Sequence, residues 1–493
     1  MRREIKEIDI VGSSTFSRYK KQSSAETFNM FISDNALIDY AGYKKMLSIS
    51  SNGQSRNIFQ SPQLGQMLVV IGNMIYTVTA DLIYIPIGTL RTRTGDAYMA
   101  ENNNRQIAVS DRRNLFVYDY NPSVNAGQFV ENLDFTPGHI TAQDGYIIST
   151  VLTENGALTN EWRLSLPGDA FTWPDEYIGA LEGESDVTVG VFKFRRQLFI
   201  FGNHSTEIWY DVGGRIFPYQ RSNTTSIDYG CLNVNTIAQD LGYIIWVGSS
   251  EKSDAAILVS TGGTPKAVST DGLDYRLGQL EHPEDSTAFI FQQSGHVFYH
   301  LTFFTDNYSL IYDLTASRLY TITDENRNYH IAKDVVFFNN RHYFISLNDG
   351  DIYELNDKYF TYDYRLSDSD DSSLNRIIPR SRLCSPFRMP NNSRFRTTNL
   401  SVIQETGANP LRTPQGTEPD VEYLTSSRIG HSMSKDGGQT FTDANIKELP
   451  RSGVRQNMVR FHNGGMANEI VDKFEWWTAG PVVALGATRE IFQ

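Results

Sequence analysis

Cysteine is nearly absent: the 493 residues hold two, Cys231 and Cys384. Two thiols cannot build a disulfide framework or a four-cysteine zinc site, and they fit synthesis in a reducing compartment better than secretion. Long apolar runs are missing as well. The longest, such as Met67 to Ile71 and Pro481 to Leu485, are strand-sized, well short of the roughly 18–20 residues that a membrane helix needs. The opening stretch, MRREIKEIDIVGSS, carries charge without the apolar segment of a signal peptide. Cationic excess is lacking too. Forty-four Lys and Arg stand against 57 Asp and Glu, a net charge of −13. This disfavours a generic grip on nucleic acid by phosphate neutralisation, but it leaves room for contact with DNA that the protein repels. The Gly-x-Ser-x-Gly elbow, the Walker loop and His-Glu-x-x-His do not occur.

What is abundant is aromatic: 26 Tyr and 28 Phe, with aromatics at 12%. Such residues suit a pleated, half-buried surface. Short alternating runs bounded by turns recur, among them Leu115–Tyr120, Gln197–Phe201, Gly242–Gly248, His296–His300 and Gly350–Leu355. Runs of about 4–8 β-branched and aromatic residues read as strands, and sustained helical periodicity is absent. Asp169-Ala-Phe-Thr-Trp-Pro174 reads as a turn rather than a helix start.

A run, a short turn and a second run recur at 196–211, 295–313 and 341–355, the rhythm of antiparallel hairpins. Propeller blades take about 40–50 residues each, so residues 56–365 accommodate six or seven. The expected fold is all-β: a β-propeller-like domain at 56–365 with an additional β domain at 366–493. A multi-sheet sandwich is the alternative. The boundary is the acidic run Ser367–Ser373, after which Arg376, Arg380, Arg382, Arg388, Arg394 and Arg396 crowd together. Gly407 and Pro410 punctuate a loop beyond them. Residues 1–55 lack blade rhythm and are read as an N-terminal segment that joins the C-terminal β domain, since chain ends often lie together.

Candidate chemistry is sparse. His296 and His300 share one strand face, but no carboxylate stands near at ligand spacing, so two hairpin residues are the plainer reading. Asp368, Asp370 and Asp371 offer calcium-type oxygens, yet lack the glycine and distal glutamate of an EF-hand loop; a solvated linker fits better. Ser434-Lys-Asp-Gly-Gly-Gln-Thr-Phe441 resembles the Asp-box of sialidase-type propellers, a structural hairpin in which Asp436 ties the turn and Phe441 packs inward. No catalytic residue, metal ligand or cofactor site is nominated. Arg195, Arg196, Arg380, Arg382, Trp476 and Trp477 are the candidates for a subunit or partner interface, where arginine and aromatics are enriched. In a strand, Trp476 and Trp477 stand on opposite faces and both need cover.

Several stretches, in order, resemble the packaged-DNA stabilisation proteins of short-tailed bacteriophages, also called tail hub or tail nozzle proteins. Ser24–Phe31 and Tyr40-Ala-Gly-Tyr43 lie near the start, the latter with Ala41 where the family commonly has proline. The central match runs from Phe192–Gly202 through Ser205–Trp209, Phe217–Arg221, Asp228–Leu232, Gly242–Gly248 and Lys266–Thr270 to Asp274. Ile378–Arg382, Ser385-Pro386, Glu405–Gly407 and Gly464–Ala467 follow more loosely. The resemblance implies a structural virion protein that is not an enzyme. Copies form a ring, typically a hexamer, below the portal and adaptor, extending the channel for double-stranded DNA and retaining the packaged genome. The ring offers attachment surfaces for tail needle, tailspike or fibre proteins. It implies location in the virion tail, after synthesis in the host bacterial cytoplasm. An acidic channel would let DNA slide by denying phosphates a partner. A carbohydrate-binding or glycan-degrading propeller is the alternative function.

Overall fold

The run Leu198–Phe201 is buried on both faces, and so are Ile244–Val247 and Leu310–Asp313. Strands covered on both sides by neighbouring sheets have no need to alternate, which is why the middle of each sheet reads as unbroken Leu, Ile and Phe. Outer strands alternate instead, as in Ala126–Asn132 with every second side chain towards solvent. A computed structural model describes the chain apart from residues 1–2, 19–23, 50–52, 125, 133–134, 184, 215, 251–252, 348, 368, 407–426, 450–456, 463 and 493.

Seven four-stranded antiparallel blades surround one axis. Their inner strands are Ser55–Ser61, Tyr98–Glu101, Pro137–Gln143, Thr188–Phe194, Ala238–Asp240, Ser286–Gln293 and Ala332–Phe338. We number the blades one to seven in that order. Apolar layers fill the gaps between blades. Leu68, Val70, Met99 and Phe116 pack between blades one and two; Trp162, Leu198 and Trp209 pack between three and four. Trp162 and Trp209 meet edge-on at 5.2 Å.

Blade seven takes its outer strand from the beginning of the chain. Gly42–Ser48 pairs antiparallel with Asp351–Asn356 and thereby closes the propeller. Gly42 sits against the carbonyls of Tyr359 and Thr361, where a Cβ would approach within 2.6 Å. The N-terminal segment is therefore shared. Arg3–Ile8 and Ala36–Asp39 pair with the last strand, Val482–Phe492, whereas Gly42–Ser48 belongs to the propeller.

Thr361–Asp363 and Asn375–Ile377 extend blade seven beyond Gly42–Ser48, and two sheets make the rest. One holds Met30–Ser33, Ala36–Asp39, Val482–Phe492, Phe395–Thr406 and Asn457–Phe461, with Arg3–Ile8 and Gly465–Ala467 at its margins. The other extends blade six outward: Glu26–Phe28 pairs with Arg318–Thr321, then come Arg380–Leu383, Glu469–Trp477, Arg428–Ser434 and Asn445–Glu448. A single core of Phe31, Leu37, Leu400, Phe474, Trp476 and Val482 continues into Phe291, Phe298 and Tyr320 of blade six. Among the described residues the one α-helix is Asp271–Leu277, capped by Thr270, whose hydroxyl accepts from the Leu273 amide.

Two buried histidines lie where blades six and seven meet the N-terminal segment. The His300 and His330 rings are 4.8 Å apart, and both flank Tyr40. Burial lowers both below the ordinary imidazole range, His330 to about 3. A third buried ring, His139, is lowered by burial to about 4; the unfolded value of all three lies near 6.5, so below it the unfolded chain binds three protons that the folded chain refuses. Each costs about 1.4 kcal/mol of stability per pH unit. Asp334, raised by burial to about 6, acts oppositely between about 6 and 4 and offsets one of them. From these four groups stability is thus expected to fall by about 2.8 kcal/mol per pH unit from pH 6 to pH 4.5. Denaturant titrations across that range check it, and a flat profile would show that the buried rings take up protons in the fold.

Candidate functional site

All seven inner strands deliver side chains to the propeller axis. Arg56 lies buried there with its guanidinium saturated. Nε donates to the Gly95 carbonyl (2.8 Å), Nη1 to those of Gly72 (3.1 Å) and Thr92 (2.9 Å). Nη2 donates to Thr92 Oγ1 (2.8 Å) and the Asp96 carbonyl (3.1 Å). Lys333 is buried beside it and donates to the Ser55 carbonyl at 3.2 Å, with Asp96 Oδ1 at 4.0 Å. Burial lowers both cations below their usual values, against the pull of Asp96. The space left is a cavity of about 230 Å³ that also touches His139, Thr287 and Asp334. A wider mouth of about 540 Å³, with Gln60, Glu101, Lys193 and Gln239, opens at one end. The major groove of DNA alone is about 12 Å wide, so no duplex passes along this axis. Any DNA path lies outside the propeller.

Around blades four to six the two faces of the disc differ in charge. In a four-stranded meander, the turns joining first to second and third to fourth strands lie on one face. The middle turn and the link to the next blade lie on the other. The link and middle-turn face carries Asp271, Glu281, Glu284, Asp285 and Asp306 around blades five and six. Asp306 accepts the amides of Glu281 and His282 at 2.9 Å each, which fixes these loops together. The opposite face carries Arg195 and Arg196 at the first turn of blade four. Arg195 occupies the left-handed region at φ 58°. Its Nη2 donates to the Gly242 carbonyl in the matching turn of blade five at 3.2 Å, and the guanidinium lies 5.2 Å from the Phe194 ring. Beside it are Leu241, 60% exposed, and Tyr243; Ile216, 77% exposed, stands on the same face of blade four.

The other sequence-selected residues do not join this patch. Arg380, Arg382 and Trp476, read from sequence as partner-facing, are buried within the chain. Arg380 pairs with Asp39 and donates to the carbonyls of Thr478 (2.7 Å) and Phe360 (2.9 Å). Arg382 clamps the N-terminal segment through Asp9 (3.0 Å), the Ser13 carbonyl (2.9 Å) and Thr27 Oγ1 (2.9 Å). Trp476 donates to Gln404 Oε1 at 2.9 Å. That expectation is corrected for a physical reason: each group is consumed by segments far away in sequence, which local spacing does not reveal. Trp477 is half-buried over Gly430, where a Cβ would come within 2.7 Å of the ring.

The Asp-box-like turn forms as its residues imply. Asp436 accepts from the Gln439 and Thr440 amides at 3.0 Å each, and Gly437 and Gly438 take φ of 76° and 88°. Phe441 is 36% exposed rather than packed inward. His296 bonds Asp313 at 2.7 Å and Ser33 at 3.2 Å. Of the acidic run, Asp368 lies outside the described residues. Asp370 and Asp371 accept from their own turns, the Leu366 amide at 2.7 Å and the Ser373 amide at 2.8 Å. Among the described residues no three His, Cys, Asp or Glu converge as metal ligands.

Residues 22–359 match the family described as phage stabilisation, bacteriophage P22 Gp10, β-propeller. No curated protein sequence matches. Among solved structures, the chain is similar to a streptogramin B lyase at 15% identity, over 64% of this chain and 97% of that one, with a TM-score of 0.42. It is similar to a catalytically inactive virginiamycin B lyase from Staphylococcus aureus with quinupristin at 12% identity, over 64% and 99%, TM-score 0.43. The extracellular domain of a one-component system from B. thetaiotaomicron matches at 9% identity, over 65% and 41%, TM-score 0.42.

Proposed function

The chain belongs to the phage stabilisation family, that of the β-propeller of bacteriophage P22 Gp10, and on that premise we propose that it builds a ring, typically of six copies, in a short phage tail. In this reading the ring sits below the portal and adaptor and extends the DNA channel. It retains the packaged genome and anchors needle, tailspike or fibre proteins. The chain is made in the host cytoplasm and ends in the virion tail. The observation that supports a ring is the axis itself. Arg56 and Lys333 fill it, so a conduit for DNA has to be enclosed by several copies rather than by one. The net charge of −13 agrees with a conduit that DNA traverses without adhering. We place the propeller at 56–365 and the second β unit at 366–493, with residues 1–55 serving both.

Mass photometry and negative-stain imaging of the full chain, alone and with the adaptor protein, test this. A closed ring, formed with or without the adaptor, is expected. A monomer under both conditions would overturn it.

A further inference from the structure

We infer that the turn face of blades four and five, carrying Arg195, Arg196, Leu241 and Tyr243, docks on the acidic link face of blades five and six in the next copy of this chain. The inference rests on the ring reading and names the surfaces that build it.

Three observations carry it. First, the patch has the composition of a binding hot spot: arginine and tyrosine beside an exposed leucine, on a chain of net charge −13. Among the described residues neither arginine has an ion-pair partner, and Arg195 is held in place by the Gly242 carbonyl, so little freedom is lost on binding. Secondly, the complement exists on the same molecule. Asp271, at the start of the helix, and Glu281, Glu284 and Asp285, on the loop that Asp306 braces, stand on the opposite face, with Glu284 3.1 Å from His282 Nδ1. A chain with net charge −13 supplies many acidic groups, but these are concentrated on one link beside an exposed Tyr275. Thirdly, the two surfaces lie on opposite faces of the disc. Contact between two different surfaces is heterologous: it cannot close as a two-fold dimer, and it generates a ring when the rotation per copy permits. With faces joined in this way the blade rims, not the propeller axes, border the central channel.

The test uses the full chain with the adaptor protein, read by mass photometry, with the thermal melt as a check on folding. The double variant R195E/R196E, whose side chains are exposed, is expected to melt as the wild type does. Its half-assembly concentration should rise at least about tenfold, the effect of reversing close charge pairs. Adding E281R/E284R to the same chain should restore the ring. If R195E/R196E assembles like the wild type, or if the charge-swapped chain stays monomeric, the inference is overturned while the ring reading stands. If the wild-type chain itself never assembles, the ring reading falls and takes this inference with it.

Discussion

Replacing Asp472 by alanine is expected to destabilise the C-terminal sheets by about 3–5 kcal/mol, the cost of leaving a buried charge without its partner. Asp472, Arg489 and His431 are all buried. Asp472 Oδ1 accepts from His431 Nε2 at 2.8 Å and pairs with Arg489 Nη2. Burial alone would raise this carboxyl, but the Arg489 charge and the His431 bond hold it below its ordinary value. Among the described residues Arg489 Nε and Nη1 have no hydrogen-bond partner, so the carboxylate carries the compensation for that guanidinium. Asp472→Asn keeps an acceptor without the charge and should lose less. Hydrogen exchange over Glu469–Trp477 and Val482–Phe492 reads the effect locally, which matters in a chain too large to assume two-state unfolding. A loss below about 1 kcal/mol would show that water already reaches Arg489.

Asp39→Ala is expected to cost about 3 kcal/mol, the lower end of that range. Arg380 would lose its carboxylate but keep the Thr478 and Phe360 carbonyls. Asp39 also accepts the Val482 amide at 2.6 Å. One side chain thus ties the N-terminal segment to the last strand and, through Arg380, to the edge of blade seven. Gly42 follows three residues later, so the closing strand should loosen along with the ion pair. Faster exchange in Gly42–Ser48 and earlier proteolysis there are the expected signs. Unchanged protection of that strand would show that propeller closure is independent of Asp39. Asp39→Asn, retaining the bond to Val482, separates lost charge from the lost acceptor.

Much of the propeller was legible because a blade is local. Phe192–Gly202 and His296–Asp313 declare their own hairpins, since partner strands lie a few residues apart and doubly covered strands read as unbroken apolar runs. Residues 56–365 were read as six or seven blades, and seven is the number found. What stayed hidden is long-range. Nothing near Gly42–Ser48 announces a partner at Asp351–Asn356. The first strands read simply as joining the C-terminal unit, and some of them do. Lys266–Thr270, one continuous stretch of the family resemblance, divides in the fold: only Lys266 and Ala267 pair before Thr270 turns to cap a short helix. The interface candidates divided on the same principle. Arg195 and Arg196 sit on a hairpin turn and stay outside. Arg380 and Arg382 sit on one strand and Trp476 on the next, each with a neighbour on both sides, so burial claimed them. The acidic face was invisible in sequence, because its residues fall on one side only once the turns alternate around the disc.

The closing strand also sets an order of manufacture. Gly42–Ser48 leaves the ribosome about 300 residues before the strand it must pair with, a wait of roughly 15–60 s at about 5–20 residues per second. During that time Tyr43 and Leu47 have no blade to cover them, and the nascent edge is open to wrong partners. Arg3–Ile8 waits longer still, until Val482–Phe492 is made. A chain cut short at any point beyond the propeller lacks the strand that completes its own beginning. Incomplete copies therefore present loose ends to proteases.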